Sequence, residues 1–172
     1  AYVKAMREVL GPKRMLMIDN GIAIKWDVTD AVRRAKAMEE YDLAWIEEPV
    51  VYDDLDGCAQ LGAVLATPIQ IGENFYGPRD LADALRRKAC DFVMPDFMRI
   101  GGITGWLRAA AIAATANVPM STHLYPEFAA HAMRVTPTAH WLEWQDWVDP
   151  LLRSPFRVEQ GMLQIPDVPG VG

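Results

Sequence analysis

Residues 45–50 read WIEEPV, and the way this segment ends decides how the rest of the chain is read. Trp45 and Ile46 are bulky apolar residues suited to a buried strand. Two carboxylates follow at once, and Pro49, which has no backbone N–H, closes the strand. Side chains alternate along a strand, so Glu47 and Glu48 are expected on opposite sides. One can reach solvent; the other needs a partner.

On either side of this segment, short apolar runs alternate with longer amphipathic ones. RMLMID (14–19) reads as a strand, and residues 27–41 as a helix with Asp27 as N-cap. LAWIEE (43–48) is a strand and residues 53–66 a helix. PIQIGEN (68–74) is a strand, and residues 77–89 a helix with Pro78 in its first turn. DFVMPD (91–96) is followed by a helix over 101–117, VPMSTH (118–123) by a short helix over 127–135, and HWLEW (140–144) is the last strand. The tail FRVEQGMLQIPDVPGVG is irregular, with room for a short hairpin. The first residues, AYVKAMREVLG, read as a helix.

Strict β-α alternation implies a parallel sheet with helical crossovers. Near-continuous apolar strands fit a sheet covered on both faces. An open doubly wound sheet and a (β/α) barrel both satisfy the pattern. No GxGxxG follows the first strand, so a nucleotide-binding open sheet has no support. GGITG (101–105) matches no phosphate loop and reads as a tight turn into a helix.

The chain has 172 residues, 51% of them hydrophobic, enough for one domain with a sizeable core. A net charge of −6 argues against nucleic-acid or anionic-membrane partners. The N-terminus does not resemble a signal peptide, and no apolar run reaches the roughly 20 residues a membrane helix needs. A cytoplasmic location is expected. Cys58 and Cys90 lack metal-type spacing and read as free thiols.

Each expected strand has an ionisable residue at or near its C-terminal end: Asp19, Glu47, Glu73, Asp96, His123 and Glu143. In a β/α barrel these ends converge on one mouth, where active sites sit. Five carboxylates and an imidazole around one cavity would repel unless a cation neutralised them. The first three, Asp19, Glu47 and Glu73, are all carboxylates. Hard oxygen ligands favour Mg²⁺ or Mn²⁺ over zinc. Asp96, one strand away, can orient the His123 imidazole and make it a general base. His131 and His140 read as structural.

The segments MID, WIEEP, IGEN, MPDFMRIGGITGW, MSTHL and TPTAHWLEW, in this order, together with the closing IPDVPGVG, resemble the enolase superfamily and within it the mandelate racemase subgroup. The resemblance covers nearly the whole chain. It implies an α/β fold, a TIM-type (β/α) barrel of which residues 1–150 are about strands 3 to 8, with 151–172 a tail packing back on the barrel or on a capping domain. The first strands and the N-terminal capping domain would lie outside this sequence. It implies a Mg²⁺ site at Asp19, Glu47 and Glu73, a His123–Asp96 dyad as general base, and Glu143 as an acid toward the substrate carboxylate as it becomes an enediolate. The substrate would be a small carboxylate, a 2-hydroxy acid or sugar acid. The reaction would be racemisation or dehydration, in a homo-oligomer with no nucleic-acid or membrane partner.

The chain departs from the family pattern in several places. The family's second base, a lysine of a Lys-x-Lys pair, has no counterpart within these residues. Asp19-Asn20-Gly21 replaces Asp-x-Asn, in a longer loop whose Lys25 reads as a solvated lysine rather than a substitute base. Arg99 stands where the family often has lysine and keeps the positive charge. Six strands do not close an eight-stranded barrel. The alternative expectation is therefore a catalytically incompetent barrel fragment that needs upstream residues or another chain, with open edges that promote association.

Overall fold

The computed structural model describes residues 1–20 and 26–171, so Lys25 and most of its loop lie outside the described residues. The chain divides into two compact units: Ala1–Gly72 with Ala82–Val93, and Glu73–Leu81 with Met94–Gly172.

The first unit alternates helix and strand: α1 (Tyr2–Leu10), β1 (Ile18–Asp19), α2 (Val28–Lys36), β2 (Ile46–Glu47), α3 (Leu55–Gly62) and β3 (Ile69–Ile71). After α4 (Pro78–Arg87), β4 (Phe92–Val93) completes a parallel sheet of order β1-β2-β3-β4. The register sets Asp19 beside Glu47 and Glu47 beside Gln70. The helices form for local reasons. Asp27 caps α2 by accepting the Asp30 N–H at 2.8 Å, Ala31 and Ala35 bury one stripe, and three basic residues occupy the last turn, where the helix dipole favours them. Leu16, Ala35, Leu43 and Ile46 form a core against which Val3, Leu10, Ile18, Met38 and Leu65 pack. Ile46 is wholly buried, so truncating it to alanine costs about 2–5 kcal/mol.

These strands are shorter than the sequence pattern suggests. Prolines account for much of this: Pro49 follows β2 and Pro68 precedes β3, and neither has an N–H to offer the ladder.

In the second unit, Phe97 and the indole of Trp106 pack at 5.8 Å between centroids, and Phe97 stacks on Phe128 at 6.0 Å. Trp106 is fully buried and satisfies its Nε1–H by donating to Thr136 Oγ1 at 2.9 Å. It lies on α5 (Gly102–Ala116), whose start explains GGITG. Gly101 (φ 102°) and Gly102 (φ 61°) take the left-handed turn, and a Cβ on Gly105 would lie 1.8 Å from the Ile100 carbonyl oxygen. α6 (Pro126–Met133) follows, and the tail forms the expected hairpin of β5 (Arg157–Glu159) and β6 (Met162–Gln164).

The segments expected as strands at 118–123 and 140–144 form no regular ladder among the described residues; single parallel bridges pair Met120 with Ala139 and His123 with Asp96. Met120 N–H donates to the Thr138 carbonyl and His140 N–H to that of Met120, but Thr122 N–H skips ahead to Trp141. The neighbouring hydroxyls take over the missing bonds. Ser121 Oγ accepts the Trp141 N–H at 3.3 Å, and Thr122 Oγ1 accepts that of Glu143 at 2.9 Å. Local side-chain bonds thus compete with sheet pairing.

Among the described residues no helix is long and apolar enough to cross a membrane. Both cysteines are free thiols.

Candidate active site

In the first unit, two of the expected metal ligands end adjacent parallel strands. Asp19 is exposed and Glu47 is buried, accepting a hydrogen bond from Gln70 Nε2 at 3.3 Å. The backbone at Glu48 turns left-handed (φ 40°) as the strand ends, and its N–H donates to the Gln70 carbonyl at 3.1 Å. The Glu48 side chain is buried near α3. Burial pushes the Cys58 thiol up to about 12, and the charges of Asp54 and Glu48 add to the shift. Asn20, buried, donates to the Pro49 carbonyl at 3.4 Å, a use that braces the chain.

The second unit gathers Glu73, Asp96, His123 and Glu143. Asp96 is almost fully buried and its two oxygens have separate tasks. Oδ1 accepts the backbone N–H groups of Met98 and Arg99, both at 2.8 Å, while Oδ2 meets His123 Nδ1 at 2.9 Å. Burial alone would raise the Asp96 pKa, but the His123 contact and the two backbone donors outweigh it and hold the carboxyl below its usual range. On the other side of the imidazole, Nε2 lies 3.3 Å from Glu73 Oε2. Burial works against a charged imidazole. The hydrogen bond to Asp96 and the charges of Glu73 and Glu143 prevail and raise its pKa.

Glu143 Oε2 accepts the Leu124 N–H at 2.6 Å. Leu124 and Tyr125, directly after His123, are both left-handed (φ 50° and 49°), a costly conformation for such residues. His140 meets Ser121 Oγ at 3.4 Å and His131 packs edge-on against Phe156 at 5.9 Å.

Sequence reasoning passed over three contributors. Gln70 is a buried amide beneath Glu47, and a lone polar residue in the apolar run PIQIG was the available signal. Asn74 donates to Glu73 Oε1 at 3.1 Å. The Leu124 N–H left no trace in the sequence, because a backbone donor has no identity there. Among the described residues no three Asp, Glu, His or Cys side chains already stand grouped as a metal cage. The donor chemistry of Asp19, Glu47 and Glu73, three carboxylates and no thiolate or imidazole, fits a hard divalent cation.

Residues 1–172 match the family model described as enolase C-terminal domain-like. The L-talarate/galactarate dehydratase of Salmonella typhimurium is 36% identical over 98% of this chain and 42% of its own length. A solved enolase from an alphaproteobacterium, with bound magnesium, is 54% identical with a TM-score of 0.92, over 98% of this chain and 46% of that one. A Bradyrhizobium enolase complexed with magnesium and mandelic acid is 45% identical with a TM-score of 0.92, over 99% of this chain and 46% of that one. The chain thus spans about half the length of the relatives it matches. Its parallel β/α units are part of a TIM-type barrel domain of the enolase kind. The chain belongs to the enolase C-terminal domain-like family, the barrel domain of the mandelate racemase and muconate lactonizing enzymes.

Proposed function

We propose that the protein removes the proton α to the carboxylate of a 2-hydroxy acid or sugar acid, with His123 as the base, Asp96 as its orienting partner, and Glu143 as the hydrogen-bond donor to the substrate carboxylate. Asp19, Glu47 and Glu73 would hold Mg²⁺, and residues 1–150 would be strands 3 to 8 of the barrel. The observation that carries this reading is the Asp96 carboxylate, fixed by two backbone donors at Oδ1 and set 2.9 Å from His123 Nδ1 by Oδ2. A bound Mg²⁺ would supply fixed positive charge for carboxylate oxygens on which charge builds.

The chemistry of the chain's own groups follows from their contacts. Asp96 Oδ1 is committed to two backbone donors, so Oδ2 faces Nδ1 with an uncompensated lone pair. That favours the tautomer with its proton on Nδ1 and leaves Nε2 to accept one. Once Nε2 is protonated, the carboxylates of Asp96 and Glu73 on either side of the ring stabilise the imidazolium, which is the state that abstraction creates. Glu143 is steadied by the Leu124 N–H at one oxygen, leaving the other for substrate.

Dehydration of a sugar acid is supported by the dehydratases among the relatives, including those named for talarate/galactarate and D-gluconate. Return of the proton, as in racemisation, is supported by the relative that holds mandelic acid. The test is incubation of the complete protein with Mg²⁺ and a panel of these acids in D₂O. Loss of water to a keto-deoxy acid would assign dehydration; deuterium at the α-carbon without water loss would assign racemisation. His123→Asn should abolish either outcome while leaving Mg²⁺ binding nearly intact. Undiminished turnover in that variant would refute the base assignment.

A further inference from the structure

We infer that Arg99 is a positioning residue that sets the orientation of Glu73 for cation binding through hydrogen-bond geometry, and not through its charge. The inference rests on reading Glu73 as a metal ligand.

Arg99 Nη1 donates to the Glu73 carbonyl oxygen at 2.9 Å and to Asn74 Oδ1 at 3.0 Å. The second bond takes the Asn74 amide oxygen. With its oxygen turned to Arg99, its NH₂ faces Glu73 and donates to Oε1 at 3.1 Å. That leaves Oε2 on the side of His123 Nε2, 3.3 Å away. Arg99 therefore acts on the Glu73 carboxylate through its neighbour. Its main chain is fixed as well: the N–H donates to Asp96 Oδ1 at 2.8 Å, and the carbonyl accepts the Gly77 N–H at 3.1 Å. One residue thus ties the carboxylate that orients the base to the carboxylate expected on the metal.

Its charge is spent elsewhere. The closest approach of Nη1 to a Glu73 carboxylate oxygen is 3.7 Å, while the two short bonds go to neutral oxygens. Almost a third of the Arg99 side chain is exposed, so water screens the ion pair. A planar guanidinium fixes the directions of its bonds; an ammonium is a point charge with free rotation. Outer partners that orient a metal ligand typically change metal affinity by about 10–100-fold.

A positioning role and a charge role predict opposite results. If Arg99 acts by charge, it competes with the cation for Glu73, so Arg99→Met would bind Mg²⁺ more tightly and Arg99→Lys would match the wild type. If it acts by geometry, both variants lose the directed bond to Asn74 Oδ1 and weaken binding. The experiment is calorimetric Mg²⁺ titration of the complete wild-type protein, Arg99→Lys, Arg99→Met, Asn74→Ala and the Arg99→Met/Asn74→Ala double variant, each checked for folding by near-UV circular dichroism. Expected is a loss of about 10-fold or more in all three single variants, with the double variant no worse than the more affected single, because both act through one chain of bonds. A wild-type-like Arg99→Lys, a tighter Arg99→Met, or additive losses in the double variant would overturn the inference. Should Arg99 variants fail to fold, Asn74→Ala alone decides: affinity equal to wild type overturns it. A wild type that binds no Mg²⁺ would instead sink the metal-site reading itself.

Discussion

Replacing Asp96 by asparagine keeps the shape of the side chain and changes one thing, the identity of the atom facing His123. Two orientations of the new amide are available, and the structure chooses between them. If the amide oxygen takes the Oδ1 position, it keeps both backbone donors, Met98 and Arg99, at 2.8 Å. If the amide flips, its NH₂ faces those two N–H groups and leaves both without an acceptor, at about 1–3 kcal/mol each. The first orientation therefore dominates. It places an N–H donor against Nδ1, 2.9 Å away in the native protein, so Nδ1 must accept and the imidazole proton moves to Nε2. That proton then points at Glu73 Oε2, which lies 3.3 Å from Nε2 and holds it there. The nitrogen proposed to take the substrate proton is already occupied. Stability should fall by only about 1–2 kcal/mol, the difference between a charge-assisted and a neutral hydrogen bond. Proton abstraction should fall by roughly 10²–10⁴-fold, the scale of a positioned base. Nitrogen-15 NMR of labelled histidine reads the tautomer directly, and α-deuterium exchange of the substrate reads the chemistry. A variant that keeps its proton on Nδ1, or exchanges within about fivefold of wild type, would refute the reasoning.

Two further outcomes follow from packing and burial. Gly105→Ala puts a Cβ 1.8 Å from the Ile100 carbonyl oxygen; it should destabilise the protein by about 3 kcal/mol or more, at the upper end for overpacking, and a loss under about 1 kcal/mol in urea unfolding would show that α5 shifts freely. Cys58 and Cys90 are both pushed up to about 12, chiefly by burial, so at pH 8 an aromatic disulfide reagent should modify them roughly a thousandfold more slowly than in the unfolded chain; rapid stoichiometric labelling of the native protein would contradict that.

The parts of the fold that were legible in the sequence are those set by periodicity and by residues with a single physical use. Asp27 could be read as a cap because a carboxylate before an amphipathic run has one obvious partner, and it does accept the Asp30 N–H. The glycines of GGITG could be read as a turn because left-handed backbone and close approach both exclude a Cβ. The pairing of Asp96 with His123 followed from neighbouring strand ends and is a direct contact. What could not be read depended on competition between equal claims. Ser121 and Thr122 look like ordinary strand residues, yet their hydroxyls take the Trp141 and Glu143 N–H groups, and the expected ladder is reduced to single bridges. Arg99 was legible as a charge but not as a bond director, because that role needs Asn74 beside it in space, 25 residues away in sequence.

The irregular pairing and the site chemistry have a common cause. Regular pairing would have committed the backbone on both sides of His123 to neighbours and left no donor for Glu143. Instead Thr122 fixes the Glu143 backbone by its hydroxyl, and the chain then turns left-handed at Leu124 and Tyr125. Two such residues cost of order 1–3 kcal/mol each. The turn aims the Leu124 N–H at Glu143 Oε2, 2.6 Å away, and such a hydrogen bond returns about 0.5–1.5 kcal/mol. One bond of that size offsets only part of the strain of the two residues. The remainder must come from packing beyond the turn, where Pro126, Glu127, Ala129 and Ala130 of α6 are buried. The helix after the site thus carries part of the cost of the backbone that sets His123 and Glu143 side by side in one unit.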